Sequence, residues 1–472
     1  MKIRHNDIEI NESDPFLNCK LERKQYAFVL TDIIKNFNEG FVLAIDNKWG
    51  TGKTTFVKMW KQHLNNNDYK TLYFNAWEND FEQDILVTLI SELKELKTSK
   101  NEESFKKVIN KAVPLAKSLA LGVLKTQVEK HVGNEFVKEF INQTSSNVAD
   151  GLQEQIEIYT RKKNSILEFK DSLNKFVSQT TESKPVVFII DELDRCRPNY
   201  AVELLEQIKH LFSVPGIVFV LSIDKIQLGN AVRGVYGSDL IDANEYLRRF
   251  IDIEYSIPEP DTKLFCNYLY DYFQFDKFFS NEERLRYNVF QYDKSSFVDF
   301  IIALFHYGQL PLRVQEKIFA HARLALLLFV PNHYLIPSLF VLLMYLKIKH
   351  TEIYNSIKNS KYTLQGLIDD VEDVLPLNIQ DKDLRKFIYT MVWLVQTYNN
   401  AKEYHLRENL IIKGEGDKED KLAIKLKIDK SENNQELFKA VDYFRKSYNE
   451  MHEVGINHLI KKIELTEMIQ MN

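Results

Sequence analysis

The sequence predicts an α/β fold: a parallel-sheet core with a helical insertion, then an all-α lid and a helical C-terminal region. Three observations lead there. Residues 41–45, 185–190 and 216–223 are continuous apolar runs, the composition of parallel strands buried on both faces. Helical patterns separate these runs, which calls for right-handed crossovers. From about residue 265 the strand runs stop, and aromatic and leucine-rich helical patterns take over.

Each element follows in order. Residues 25–40 place Tyr26, Ala27, Leu30, Ile33 and Ile34 at helical spacing. The strand at 41–45 is followed by a loop at 46–52 and a helix starting at Thr54. Residues 72–74 read as a short strand and 81–96 as a helix. The segment 100–180 is charged and helical in pattern, without a strong strand. Strand 185–190, a helix at 200–212 and strand 216–223 come next, then an extended run at 251–257. Residues 413–421 form a charged loop. Leu422, Ile424, Leu426 and Ile428 alternate with other residues, which predicts an isolated strand. The expected domains are 1–265, 266–350 and 351–472.

Composition removes several function classes. A net charge of −5 over 472 residues gives no globally basic nucleic-acid binder. The three cysteines are far apart and form no CxxC pair, which argues against a disulfide framework or zinc site and fits a reducing compartment. The eleven histidines include no HExxH spacing. Residues 1–15 are polar and lack the apolar stretch of a signal peptide, so a cytoplasmic protein is expected. Residues 112–124 are too short for a membrane span, and Lys117 interrupts them. Residues 324–346 are long enough, but Pro331, Asn332, His333 and Pro337 break them. Two buried helices joined by a turn are expected there; a membrane hairpin is the alternative.

The chemistry concentrates at two places. Asn47-Lys48-Trp49-Gly50-Thr51-Gly52-Lys53-Thr54-Thr55 lies between a buried strand and a helix. Loop amides and a helix N-terminus in that setting attract phosphate. Gly50 and Gly52 let the backbone approach closely. Lys53 reaches β and γ oxygens, and Thr54 offers a hydroxyl to Mg²⁺. The full GxxxxGK[ST] motif has glycine where this chain has Asn47; asparagine tolerates positive φ, so the loop is expected to close. The second place is strand 185–190 and its end, Asp191-Glu192-Leu193-Asp194, which puts acids at the carboxyl edge of the sheet. Asp191 is the candidate for the Mg²⁺ shell. Glu192 is the candidate for polarising the attacking water, with Asp194 as the alternative.

These residues carry a resemblance. Trp49-Gly50-Thr51-Gly52-Lys53-Thr54, Phe74-Asn75-Ala76-Trp77, Asp191-Glu192-Leu193-Asp194-Arg195-Cys196 with Pro198, Val202-Glu203-Leu204-Leu205-Glu206-Gln207-Ile208-Lys209 and Phe219-Val220-Leu221-Ser222-Ile223-Asp224 occur in this order. The chain resembles the KAP family of P-loop NTPases, of the additional-strand class related to AAA+ and STAND ATPases, over about residues 15–330. The resemblance implies binding and hydrolysis of ATP with Mg²⁺. No guanine-reading NKxD is evident, so ATP is preferred to GTP. Many relatives insert transmembrane helices between the two motifs; residues 100–180 are too charged for that, so no membrane span is expected. Some relatives are linked to phage exclusion or defence. The resemblance also implies an arginine finger at Arg248 or Arg249 acting in a homo-oligomer, and a nucleotide contact from Arg313 in a lid helix. For each of these arginines a purely structural place, at a helix end or helix start, is the alternative.

Two functions are compatible with these residues. One is an ATP-driven switch. The other is a sensor or scaffold that hydrolyses little and recruits a partner protein carrying effector activity. Lys106, Lys107, Lys111, Lys117, Lys125 and Lys130, interleaved with Glu, form a solvated helix face or a nucleic-acid contact.

Overall fold

The computed structural model describes residues 8–131, 148–413, 420–446 and 454–465, apart from positions 38, 83, 182, 239 and 377. The described chain forms two compact units, one ending at Glu259 and one starting at Pro260.

The first unit holds a five-stranded sheet in the order β2-β3-β4-β1-β5. The strands are β1 (Val42–Asp46), β2 (Lys70–Asn75), β3 (Val186–Asp191), β4 (Ile217–Ile223) and β5 (Ile253–Tyr255), and every pair is parallel. Alternate residues feed two cores. Leu43, Ile45, Val187, Ile189, Val218 and Val220 pack on one face against α1 (Lys24–Asn36) and α2 (Lys53–Asn66). Ala44, Phe188, Ile190, Phe219 and Leu221 pack on the other. There they meet α3 (Ile85–Leu93), the insertion helices α4 (Glu102–His131) and α5 (Val148–Thr180), and α6 (Pro198–Gln207) with its π-turn Ile208–Phe212. Burial on both faces is why these strands read as unbroken apolar runs.

Register fixes the functional edge. Asn75 lies opposite Asp191, Asp191 opposite Ser222, and Asp46 opposite Ile223. The polar ends of four strands therefore meet at one rim. The core helices α7 (Lys225–Tyr236) and α8 (Ala243–Arg248) lie between β4 and β5. Of the extended run at 251–257, only Ile253–Tyr255 pairs as strand.

The second unit is helical. The apolar run at 324–346 divides as the prolines require, into helices Leu312–Leu326 and Pro337–Lys349. Leu339, Phe340, Val341, Leu342 and Leu343 are fully buried. Among the described residues no helix is long and apolar enough to cross a membrane.

The expected strand at 422–428 is not one. Only Lys421–Leu422 pairs, antiparallel with Ile411–Ile412. Ile424, Leu426 and Ile428 are buried, so the alternation records one-sided burial of an irregular segment. Glu372 accepts the N–H groups of Lys427 (3.0 Å) and Ile428 (2.9 Å), taking the place of a partner strand. Residues 414–419 of the charged loop lie outside the described residues.

Candidate nucleotide site

The loop between β1 and α2 turns on two glycines. Gly50 (φ 78°) and Gly52 (φ 81°) occupy the left-handed region, where a side chain would be strained. Asn47 does not, so the tolerance of asparagine for positive φ is not called on there. Its side chain acts instead. The Asn47 amide donates to the Ile257 carbonyl (2.6 Å) and accepts the Ile257 N–H (2.9 Å), tying the loop to the segment after β5. Thr51 Oγ1 donates to the Lys48 carbonyl at 2.9 Å, and Arg23, itself buried, donates to the Gly52 carbonyl at 3.2 Å.

Lys53 opens α2, with Thr54 and Thr55 half-buried behind it in the first turn. The Lys53 ammonium is buried and donates to the carbonyls of Asn47 and of Lys48 (3.2 Å). Burial lowers its pKa; the charges of Asp194, Asp224, Asp191 and Asp46 oppose that. One ammonium thus faces four carboxylates.

Each carboxylate has a place. Asp191, 1% exposed, accepts the Tyr73 hydroxyl (3.0 Å) and the Glu192 N–H (3.0 Å). Asp194 accepts the Trp49 indole N–H; burial pushes its carboxyl above the usual range against the pull of that bond and of Lys53. Asp224 accepts the Trp49 backbone N–H (3.2 Å) and caps α7 through the N–H groups of Ile226 and Gln227. Asp46 accepts the Lys225 N–H at 2.9 Å.

Glu192 has φ 61°, a left-handed conformation that costs a non-glycine residue roughly 1–2 kcal/mol. Strain of this kind gathers at functional sites. Its carboxylate pairs with Arg195 (2.6 Å) and accepts the Asn75 amide N–H (3.3 Å). Burial raises its pKa, opposed first by Arg195 and then by Asn75, with Asp191 and Asp194 pushing upward. Arg195 also lies 5.7 Å from the ring centre of Trp77, which is exposed.

The residues fit a Mg²⁺-nucleotide. The carboxylates outnumber the one buried ammonium, a surplus that suits a divalent cation. The Ser222 hydroxyl, opposite Asp191, is fully buried and has no hydrogen-bond partner among the described residues. No cluster of three or more His, Cys, Asp or Glu side chains suited to a metal occurs among them.

The model of the KAP family P-loop domain matches residues 23–367. The chain belongs to the KAP family. No curated protein matches it. Among solved structures, the ORC2 protein of Aeropyrum pernix in ADPNP–ADP complexes is similar over 95% of this chain and 95% of that one, at 13% identity and a TM-score of 0.33. A likeness that low carries no argument.

Other residues singled out in this KAP sequence belong to other elements. Arg248 pairs with Glu245 at the end of α8, and Arg249 follows it; both are exposed. Neither bonds to the 47–55 loop or to residues 191–194. Arg313 is exposed in the first turn of Leu312–Leu326, in the second unit. Sequence reasoning assigned no role to Asp46, Tyr73, Asp224 or Arg23. Asn75 ends β2 and Asp224 directly follows β4, each within a family motif, and that strand-end position was the available signal. Lys106, Lys107 and Lys111 are exposed. The side chains of Lys117, Lys125 and Lys130 lie outside the described residues.

Asn47→Gly tests the loop tie. It restores the motif glycine but removes two hydrogen bonds worth about 0.5–1.5 kcal/mol each. Thermal unfolding should show a loss of about 1–3 kcal/mol, with weaker nucleotide binding by calorimetry. An unchanged or raised midpoint would remove the role given to Asn47.

Proposed function

We propose that this KAP protein is a Mg²⁺-dependent ATPase acting as a nucleotide-driven switch. The observation that carries the reading is Lys53, held in a glycine-turned loop and facing Asp191, with the strained, cation-paired Glu192 next in the chain after that aspartate. The α2 N-terminus and Lys53 bind and orient the phosphates. Thr54 and Asp191 would hold Mg²⁺, which when bound neutralises phosphate charge. Glu192 orients a water and takes its proton, and its raised pKa favours that role near neutral pH. Asn75 and Arg195 fix its carboxylate. The commitment of Asp194 to the Trp49 indole favours Glu192 over Asp194 as the base.

The exposure of Arg248 and Arg249 leaves them able to reach a neighbouring copy's nucleotide in a homo-oligomer. Hydrolysis that does not change with protein concentration would remove that part. A protein partner carrying an effector activity, and a place in phage defence, rest on the family resemblance alone.

Lys53→Ala should lose nucleotide binding. Glu192→Gln should keep it and slow phosphate release by roughly 10²-fold. The acid limb of kcat in the wild type should lie above the ordinary glutamate value of about 4.3. Equal turnover in Glu192→Gln and wild type would instead favour the sensor or scaffold reading, or move the base to Asp194.

A further inference from the structure

Tyr73 sits on β2 just below the rim and reaches up to it. It lies opposite Ile189 of β3, and Asn75, two residues on, lies opposite Asp191. Alternation along a strand puts Tyr73, Ile189 and Asp191 on one face of the sheet. That face is the one covered by α1 and α2, and the Tyr73 ring packs against its core. Lys58 and Lys61, both of α2, lie over the ring at 5.6 Å and 6.0 Å from its centre. The ring is thus seated against the helix that begins with Lys53 and Thr54, and its hydroxyl donates to Asp191 Oδ2 on β3 at 3.0 Å.

This bond gives Asp191 a constraint that its own strand does not supply. The other carboxylate oxygen, Oδ1, accepts the N–H of the next residue, Glu192, at 3.0 Å. That bond is local to the chain. The Tyr73 bond crosses to a neighbouring strand and, through the ring, to α2. With one donor on each oxygen, the carboxylate cannot turn about its axis without losing a bond. Each oxygen still keeps a lone pair to offer. A fixed direction with acceptor capacity left over is what an outer hydrogen bond gives a carboxylate that serves a cation.

We propose that Tyr73 is a positioning residue for the divalent cation: its hydroxyl aims the Asp191 carboxylate, and its ring sets that carboxylate relative to the helix that carries Thr54. The inference rests on the Mg²⁺-nucleotide reading given above. It assigns Tyr73 no contact with nucleotide or cation; Tyr73 acts through Asp191.

The test titrates Mn²⁺, which shares the preference of Mg²⁺ for oxygen ligands, into the full chain loaded with a non-hydrolysable ATP analogue, with bound metal read by electron paramagnetic resonance. Tyr73→Phe keeps the ring on α2 and removes only the hydroxyl. It should raise the Mn²⁺ dissociation constant by about tenfold, while affinity for the analogue in chelator, by calorimetry, stays within about twofold of wild type. In the Asp191→Asn background the same change should add less than about twofold, because residues that act through one another are not additive. An unchanged Mn²⁺ constant would overturn the assignment. So would losses that multiply in the double variant, or a loss of analogue affinity in chelator as large as the loss of Mn²⁺ affinity, which a merely structural role produces. Wild type that holds Mn²⁺ no more tightly than the free analogue does is a distinguishable result: it would overturn the Mg²⁺ reading itself, and this inference with it.

Discussion

The buried ammonium of Lys53 organises the rim of the sheet. Taking a charge out of water is costly unless it is paired and hydrogen-bonded. The fold meets that cost twice over, with two loop carbonyls on the nitrogen and the charges of four aspartates at or just beyond the strand ends. The loop could not take this shape without its two left-handed glycines, and the aspartates could not converge without the parallel register that sets Asn75, Asp191 and Ser222 side by side. Trp49 then ties loop and rim together, its indole on Asp194 and its backbone N–H on Asp224.

Under the proposed function this arrangement would make the site electrostatically selective. A phosphate group is drawn to Lys53 and to the α2 amides, but it also meets a surplus of carboxylate. A divalent cation reverses the sign of that second contribution. Glu192 stands one residue beyond Asp191, in a backbone conformation that aims it differently from the strand, and Arg195 and Asn75 hold it there.

Much of this was legible in the sequence, for a physical reason. β1, β3 and β4 are buried on both faces, so their composition alone marks them, and the loop and acids follow at their carboxyl ends. The contacts that were not legible join residues far apart in the chain. Asn47 looked like a tolerated substitution, yet it pairs with the backbone of Ile257, which no local pattern announces. Asp224 caps α7 with one oxygen, and its second oxygen reaches the phosphate loop, a link between residues 175 positions apart. At 422–428 an alternating pattern predicted a strand. Burial on one side produces the same alternation, and Glu372 supplies the missing acceptors.

One buried ammonium and a surplus of carboxylates should make nucleotide binding depend on a divalent cation. The direct measurement is the affinity of a non-hydrolysable ATP analogue, by calorimetry, with Mg²⁺ and with chelator, for wild type and Asp191→Asn. Mg²⁺ should tighten binding to wild type by about tenfold or more, and Asp191→Asn should lose most of that gain. Equal wild-type affinity with Mg²⁺ and with chelator would contradict the account.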